Sequence, residues 1–321
     1  MFTLPGHTIG DSWFAVHDGT AHCFFCTSPD PDPSWHWDIG HAVSEDLRRW
    51  EYVGLALKRG SGEAWDSQTL STGSVVEYGG RFWMAYSGLR RGENPPTRKV
   101  HRVGLAVSDD LYQWQKYGDE PVNERDPRLY ERLGPARGAF GQWRDPFLLV
   151  DGERVYQLVS ARTKAADRSR RGGVGLLVST GMQRWRVEQP LQVPPFAHEI
   201  EVPQVYAIDG RYYLVCCTPA SLLAPWFTDR FPDHHFGNSD YAMVGERPTG
   251  PFVLHGTGEI VPVGAAERPY ASRLVCWQGA WYLLGTAADR QYVCDPIPVV
   301  ADAAGIRAVG GAGAGAGGDG R

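Results

Sequence analysis

Short apolar runs of strand length alternate along the chain with polar, glycine-bearing turns, and the same unit returns. DGTAHCFFC at 18–26, GGRFWMAYSG at 79–88, DGERVYQLVS at 151–160, DGRYYLVCC at 209–217 and QGAWYLLGT at 278–286 each place a turn before an aromatic-rich run. Asp-Gly and Gly-Gly supply the positive φ angles of two-residue hairpin turns, so each copy predicts the turn and second strand of a hairpin. A second unit follows the first three copies at a similar distance: GHAVSEDLRRWEYV from Gly40, GLAVSDDLYQWQKY from Gly104 and GLLVSTGMQRWRVE from Gly175, with YAMVGERPTGPFVL from Tyr241 as a weaker fourth. It reads as a third strand, a short Ser- and acid-bearing turn, and a fourth strand opened by Trp or Phe.

Four strands returning five times, with almost no helical periodicity, predict an all-β fold: a five-bladed β-propeller of four-stranded antiparallel blades around a central funnel. A β-sandwich would not explain the recurrence. One domain is expected over 1–300. From Ala301 the chain turns rich in Gly and Ala, and a disordered tail is expected over 301–321.

Composition narrows the partner. Charged residues make up 21% of the chain and the net charge is -5, which argues against the basic surface that nucleic acid requires. No apolar run approaches a membrane span and the N-terminus lacks a charged n-region, so no membrane partner and a cytoplasmic location are expected. The six cysteines lie in strand-like segments without zinc spacing, and buried free thiols are expected; alternation puts Cys23 and Cys26 on opposite faces. His36, His41 and His198 make no ligand set, so neither a metal nor another cofactor is expected. The twelve tryptophans and fourteen tyrosines suit either an all-β core or a sugar-stacking floor.

The stretch QWRDPFLL sets Arg144 and Asp145 in front of an apolar strand, and similar positions recur. Asp11 lies eight residues before Gly19, Asp145 seven before Gly152 and Glu201 nine before Gly210. Ser71-Thr72 holds the matching place in the second repeat and Ser272-Arg273 in the fifth. Innermost strands line a propeller's channel, so the three acids are expected to meet at its mouth. Converging carboxylates repel and are poorly solvated, which splits their pKa values and suits acid-base work on a glycosidic bond. Arg144 would partly neutralise them. Trp13, Trp35, Trp37 and Trp143 are candidate stacking walls, and Ser71, Thr72, Glu199 and Arg273 are further candidates for binding a small carbohydrate.

The order of IGDSWF, WHWDIGHAVSEDLRRWE, STGS, WRDP and IEVP resembles glycoside hydrolase family 32, the invertase and fructanase group, and the related family 43 of arabinanases and xylosidases. The resemblance covers roughly residues 5 to 217 and implies hydrolysis of a terminal glycosidic bond of a small furanoside. It also implies roles: Asp11 as the first-blade aspartate, Asp145 as the transition-state stabiliser of the Arg-Asp-Pro motif, Glu201 as general acid/base. In family 32 the first aspartate is a nucleophile and configuration is retained; in family 43 it activates water and configuration inverts. Gly10-Asp11-Ser12-Trp13 replaces the usual Asn-Asp-Pro-Asn, Glu201-Val202-Pro203-Gln204 replaces Glu-Cys-Pro-Asp, and Cys26 stands where family members use glutamine. The altered surroundings of Asp11 and Glu201 keep open a carbohydrate-binding propeller without catalysis, and the resemblance to related propellers keeps open glycosyl transfer to an acceptor sugar or to phosphate.

Overall fold

The computed structural model describes residues 1–30, 36–93, 98–131, 139–265, 267–287 and 291–309. Five antiparallel sheets form a ring. Blade 1 runs through His7–His17, Thr20–Pro29, Asp38–Ser44 and Glu51–Leu57; blade 2 through Thr69–Tyr78, Arg81–Leu89, Arg102–Ser108 and Gln115–Lys116. Blade 3 uses Trp143–Asp151, Arg154–Arg162, Gly172–Ser179 and Arg186–Val187; blade 4 uses Glu201–Ile208, Arg211–Thr218, Ser239–Gly245 and Phe252–Val253. In blade 5 the strands Tyr270–Trp277 and Ala280–Thr286 are followed by Tyr292–Val293 and Ile297–Asp302, which share the third place.

The core lies between blades, because each sheet is apolar on both faces and buries them against its neighbours. Phe24 packs with Leu70 and Met84 across blades 1 and 2, Leu105 with Leu148 across 2 and 3, Leu158 with Leu214 across 3 and 4, Val215 with Leu283 across 4 and 5, and Ala21 with Val275 and Leu284 across 5 and 1. A second device also closes the ring: Phe2–Thr3 pairs antiparallel with Tyr292–Val293, tying the first residues of the chain to the last blade. No helix among the described residues is long and apolar enough to cross a membrane.

The second repeated motif is a turn with a local hydrogen-bond program. Asp46 accepts from the backbone N–H groups of Arg48 and Arg49, and Asp110 from those of Tyr112 and Gln113. These bonds hold both carboxyls below the usual range, chiefly through the backbone donors of Arg49 and Gln113. Leu47, Leu111 and Met182 take positive φ, and the indole of the Trp three residues on donates to the carbonyl of each, at 3.1, 2.8 and 2.9 Å. The acid, the apolar residue and the Trp are thus one device for turning the chain at the blade edge.

Two expectations need correction. The tail does not begin at Ala301: Ile297–Asp302 and Gly305–Ala308 pair as a hairpin, and Ile306 is buried against the core between blades 4 and 5. Backbone pairing plus one well-placed isoleucine suffices where composition suggested nothing to pack; residues 310–321 lie outside the described residues. All six cysteines are free, yet Cys276 is exposed, since it falls on the outer register of its strand. Cys23 and Cys26 sit in different core clusters, as alternation requires.

Candidate active site

All five inner strands carry a register shift near their starts: between Ile9 and Ser12, Ser71 and Gly73, Arg144 and Phe147, Glu201 and Gln204, and Tyr270 and Arg273. A bulge bends a strand and re-aims its side chains. Here five bulges form a ring around the channel mouth. Asp145, Val202 and Ala271 take φ of 54°, 54° and 55°, a left-handed conformation that non-glycine residues seldom adopt. The strained backbone is held by bonds between blades: Asp145 N–H donates to Ser87 Oγ at 2.8 Å, and Val202 N–H to Asp145 Oδ2 at 3.2 Å and Ser160 Oγ at 3.1 Å.

The ring encloses a pocket of about 250 Å³ lined by Asp11, Asp145, Glu201, Arg144, Ser71, Thr72, Trp37, Lys99, His101 and Tyr270, among others. Its centre is a charge cluster. Arg144 Nη2 donates to Glu201 Oε1 at 2.7 Å and to Glu199 Oε1 at 2.6 Å, while its Nε lies 3.4 Å from Asp145 Oδ2. Gln142 buttresses the cluster, accepting from Arg144 Nη1 and donating to Glu199 Oε1, both at 2.6 Å. Ser160 Oγ donates to Asp145 Oδ2 at 2.7 Å, Thr72 Oγ1 donates to Asp11 Oδ2, and Tyr270 donates its hydroxyl to Glu201 Oε2 at 2.6 Å.

One guanidinium cannot hold so many carboxylates in their ionised form, and the surroundings decide which protonates first. Burial raises the Glu201 carboxyl above its ordinary value; Arg144 opposes this, and the charges of Glu199 and Asp145 add to it. Asp145 is also raised by burial, against Arg144 and with the charge of Asp11 behind it. Burial pushes Glu199 up too, but its bonds to Arg144 and Gln142 win and leave it below the usual range. Glu201 keeps 24% of its side chain accessible against 5% for Asp145, so a proton held on Glu201 can be delivered to a bound molecule. The arrangement can donate a proton from one wall while presenting a second carboxyl, Asp11, from another.

Several candidates lie elsewhere than expected. Glu199 is buried behind Arg144, accepts from its guanidinium and is absent from the pocket lining. Trp13 is 1% exposed and packs beneath the pocket on Phe24, and Trp143 is 2% exposed in the core of blade 3, because strand alternation turns both indoles between blades. Trp37 alone of the described candidate tryptophans lines the pocket; Trp35 lies outside the described residues. Arg273 sits lower in the channel, with Nη2 donating to the Gly73 carbonyl at 3.1 Å. His41 is buried against His22, and His198 meets the Arg168 carbonyl, both away from the cluster.

Tyr270 and the pair Lys99 and His101 escaped the sequence reading. Lys99 arrives on Arg98–Val100, which pairs in parallel with Ala139–Gly141 in a small sheet outside the repeat, so no periodicity announced it. Tyr270 did leave a signal: it lies nine residues before Gly279, the same interval as from Glu201 to Gly210.

A five-bladed propeller with paired carboxyls in a polar pocket at its channel mouth is an architecture of the glycosidases. The family model described as "Glycosyl hydrolases family 32 N-terminal domain" matches residues 12–275, and the chain belongs to that family. It is 26% identical to sucrose-6-phosphate hydrolase of Zymomonas mobilis over 223 residues, 66% of this chain and 40% of that protein. It is 28% identical to raffinose invertase of Escherichia coli over 180 residues, 54% of this chain and 33% of that one. The chain thus spans well under half the length of these curated relatives. The inulosucrase from Halalkalicoccus jeotgali bound to kestose shares the fold at a TM-score of 0.77 and 20% identity, across 97% of this chain and 89% of that one.

Proposed function

We propose that the chain hydrolyses the terminal fructosyl bond of a sucrose-type oligosaccharide, a β-fructofuranosidase reaction. The observation that carries this reading is the placement of Asp11 and a buried Glu201, whose carboxyl burial raises above its ordinary value, on different blades of one pocket, in a chain of family 32. Glu201 gives its proton to the bridging oxygen as the bond to the anomeric carbon breaks. Arg144 occupies Oε1, which leaves the proton to Oε2 on the side of Tyr270. Asp11 attacks the same carbon; Thr72 engages Oδ2, so Oδ1 is the free oxygen. Water then cleaves the fructosyl ester, returning its proton to Glu201. Asp145 and Arg144 hold ring hydroxyls and offset the positive charge that develops at the anomeric carbon.

The test is a screen of sucrose, raffinose, kestose and sucrose 6-phosphate beside arabinofuranosides and xylosides, with released sugar identified by chromatography. Fructose from at least one of the first four is expected. Arabinose or xylose alone would move the chain's chemistry towards the sister family, and products bearing an added fructosyl unit would make it a transferase.

The same network predicts opposite pH effects from two substitutions outside the proposed catalytic pair. kcat/KM falls as pH rises through the Glu201 pKa, because the acid must be protonated. The charge of Glu199 raises that pKa and the hydrogen bond from Tyr270 lowers it. Glu199→Gln is therefore expected to move the basic limb of the profile to lower pH, and Tyr270→Phe to move it higher. Shifts of the same sign in both variants would contradict the role given to Glu201.

A further inference from the structure

Five buried side chains support the ring of bulges from behind. Each sits on the second strand of a blade, opposite the last paired residue before the bulge of the inner strand: Thr27 opposite Ile9, Ser87 opposite Ser71, Ser160 opposite Arg144, Cys217 opposite Glu201 and Thr286 opposite Tyr270. Four carry hydroxyls, and three of these reach into the next blade. Ser87 Oγ accepts from Asp145 N–H at 2.8 Å, Ser160 Oγ accepts from Val202 N–H at 3.1 Å, and Thr286 Oγ1 donates to the Gly10 carbonyl at 2.6 Å. Cys217 is the thiol among them, and it stands opposite the proposed acid.

Sulfur in this place acts on both the main chain and the side chain of Glu201. The thiol donates to the Glu201 backbone carbonyl, with sulfur 3.7 Å from oxygen. Its hydrogen stays on at any working pH, because burial, and then the nearby carboxyls of Asp240, Glu201 and Asp11, push the thiol well above its ordinary value. On its other side Cys217 packs in one cluster with Val202, Ala271 and Tyr270, and its sulfur comes within hydrogen-bonding reach of the Tyr270 hydroxyl. That hydroxyl has a single hydrogen, which it gives to Glu201 Oε2 at 2.6 Å. With the thiol hydrogen on the carbonyl, the sulfur can meet the hydroxyl only as an acceptor, and a thiol sulfur is a weak one. A serine oxygen there would compete with Glu201 for the tyrosine's hydrogen.

We propose that Cys217 is a positioning residue for the acid: its thiol fixes the Glu201 main chain beside the bulge and leaves the Tyr270 hydrogen bond undivided on the Glu201 carboxyl. The assignment rests on the reading of Glu201 as the acid. That carboxyl faces Arg144 and Asp145 from blade 3, Glu199 from the approach to its own strand, Tyr270 from blade 5 and Asp11 across the pocket, and a Cys217 variant alters none of them. The Tyr270 bond lowers the Glu201 pKa, so Cys217→Ser, by dividing that bond, raises the pKa by about half a unit. Serine fits the place, as Ser87 and Ser160 show in blades 2 and 3. The titration is read as the basic limb of kcat/KM on sucrose and, without substrate, by 13C NMR of glutamate-labelled protein, with the Glu201 signal assigned from its loss in Glu201→Gln. Cys217→Ala offers the hydroxyl no competitor and leaves the pKa at or below its wild-type value, and in Tyr270→Phe the serine change has no further effect. A serine variant that titrates like the wild type, or an alanine variant whose pKa rises as the serine variant's does, overturns the assignment. The expected carboxyl shifts in a protein that releases no fructose from sucrose would uphold the Cys217 contact and reject the fructosidase reading instead.

Discussion

Glu201→Gln is expected to lower kcat on sucrose by about 10³-fold while leaving the cleavage of an aryl fructofuranoside far less affected in its first step. The difference follows from the leaving group. A sugar alkoxide needs a proton as it departs and a nitrophenolate does not, so only the former calls on Glu201. The second half of the reaction then fails for both substrates, because water loses its base. With the aryl substrate the variant should release one burst of nitrophenol per protein molecule and then stall. Azide, which attacks without a base, should restore turnover. The substitution is mild for the fold: a glutamine keeps an oxygen for Arg144 at the 2.7 Å contact and an amide group beside the Tyr270 hydroxyl. Equal losses on sucrose and on the aryl substrate, without a burst, would remove Glu201 from the acid's role.

The blade plan was legible because its causes are local. A hairpin glycine and a Ser-x-Asp-Leu-x-x-Trp turn each act over a few residues, and their recurrence shows in the sequence. The meeting of the acids was legible only in outline. The intervals of eight, seven and nine residues suggested one shared position, yet Glu201 stands just before its bulge, Asp145 is the first bulged residue and Asp11 the second. Counting from the glycines also hid a shift in blade 3, where Gly152 opens its two-residue loop, whereas Gly19, Gly210 and Gly279 close theirs. Corrected for that, Arg144, Glu201 and Tyr270 share one register, which accounts for their contact through the two oxygens of Glu201.

What was not legible depends on contacts between distant segments. Nothing near Trp13 in sequence says that its indole will face Gly73, and nothing near Arg273 says that it will drop below the pocket. Glu199 looks like a pocket acid beside Glu201, but it lies before the strand that begins at Glu201 and is held behind Arg144 by bonds from Gln142 and from the guanidinium itself, both of them distant in sequence. Lys99 and His101 come from an insertion between the second and third strands of blade 2, where no repeat exists to compare with.

Asp11→Asn should cost more than the change at Glu201, about 10⁴-fold or beyond, and should cost it equally on sucrose and on the aryl substrate. An amide cannot form the ester however good the leaving group, so the loss carries no dependence on the leaving group. The Thr72 contact can persist through the amide oxygen, which keeps the side chain in place and separates chemistry from folding. The two variants also test each other. In Glu201→Gln the stalled state is a fructosyl ester, and quenched protein should carry one fructosyl group on the peptide containing Asp11. Adding Asp11→Asn to that variant should abolish both the adduct and the burst. A burst without any adduct on the Asp11 peptide would place the covalent step elsewhere, and a wild-type product of inverted configuration would replace it by direct attack of water activated at Asp11. Either result leaves the acid's role at Glu201 standing, because protonation of the departing oxygen is common to both routes.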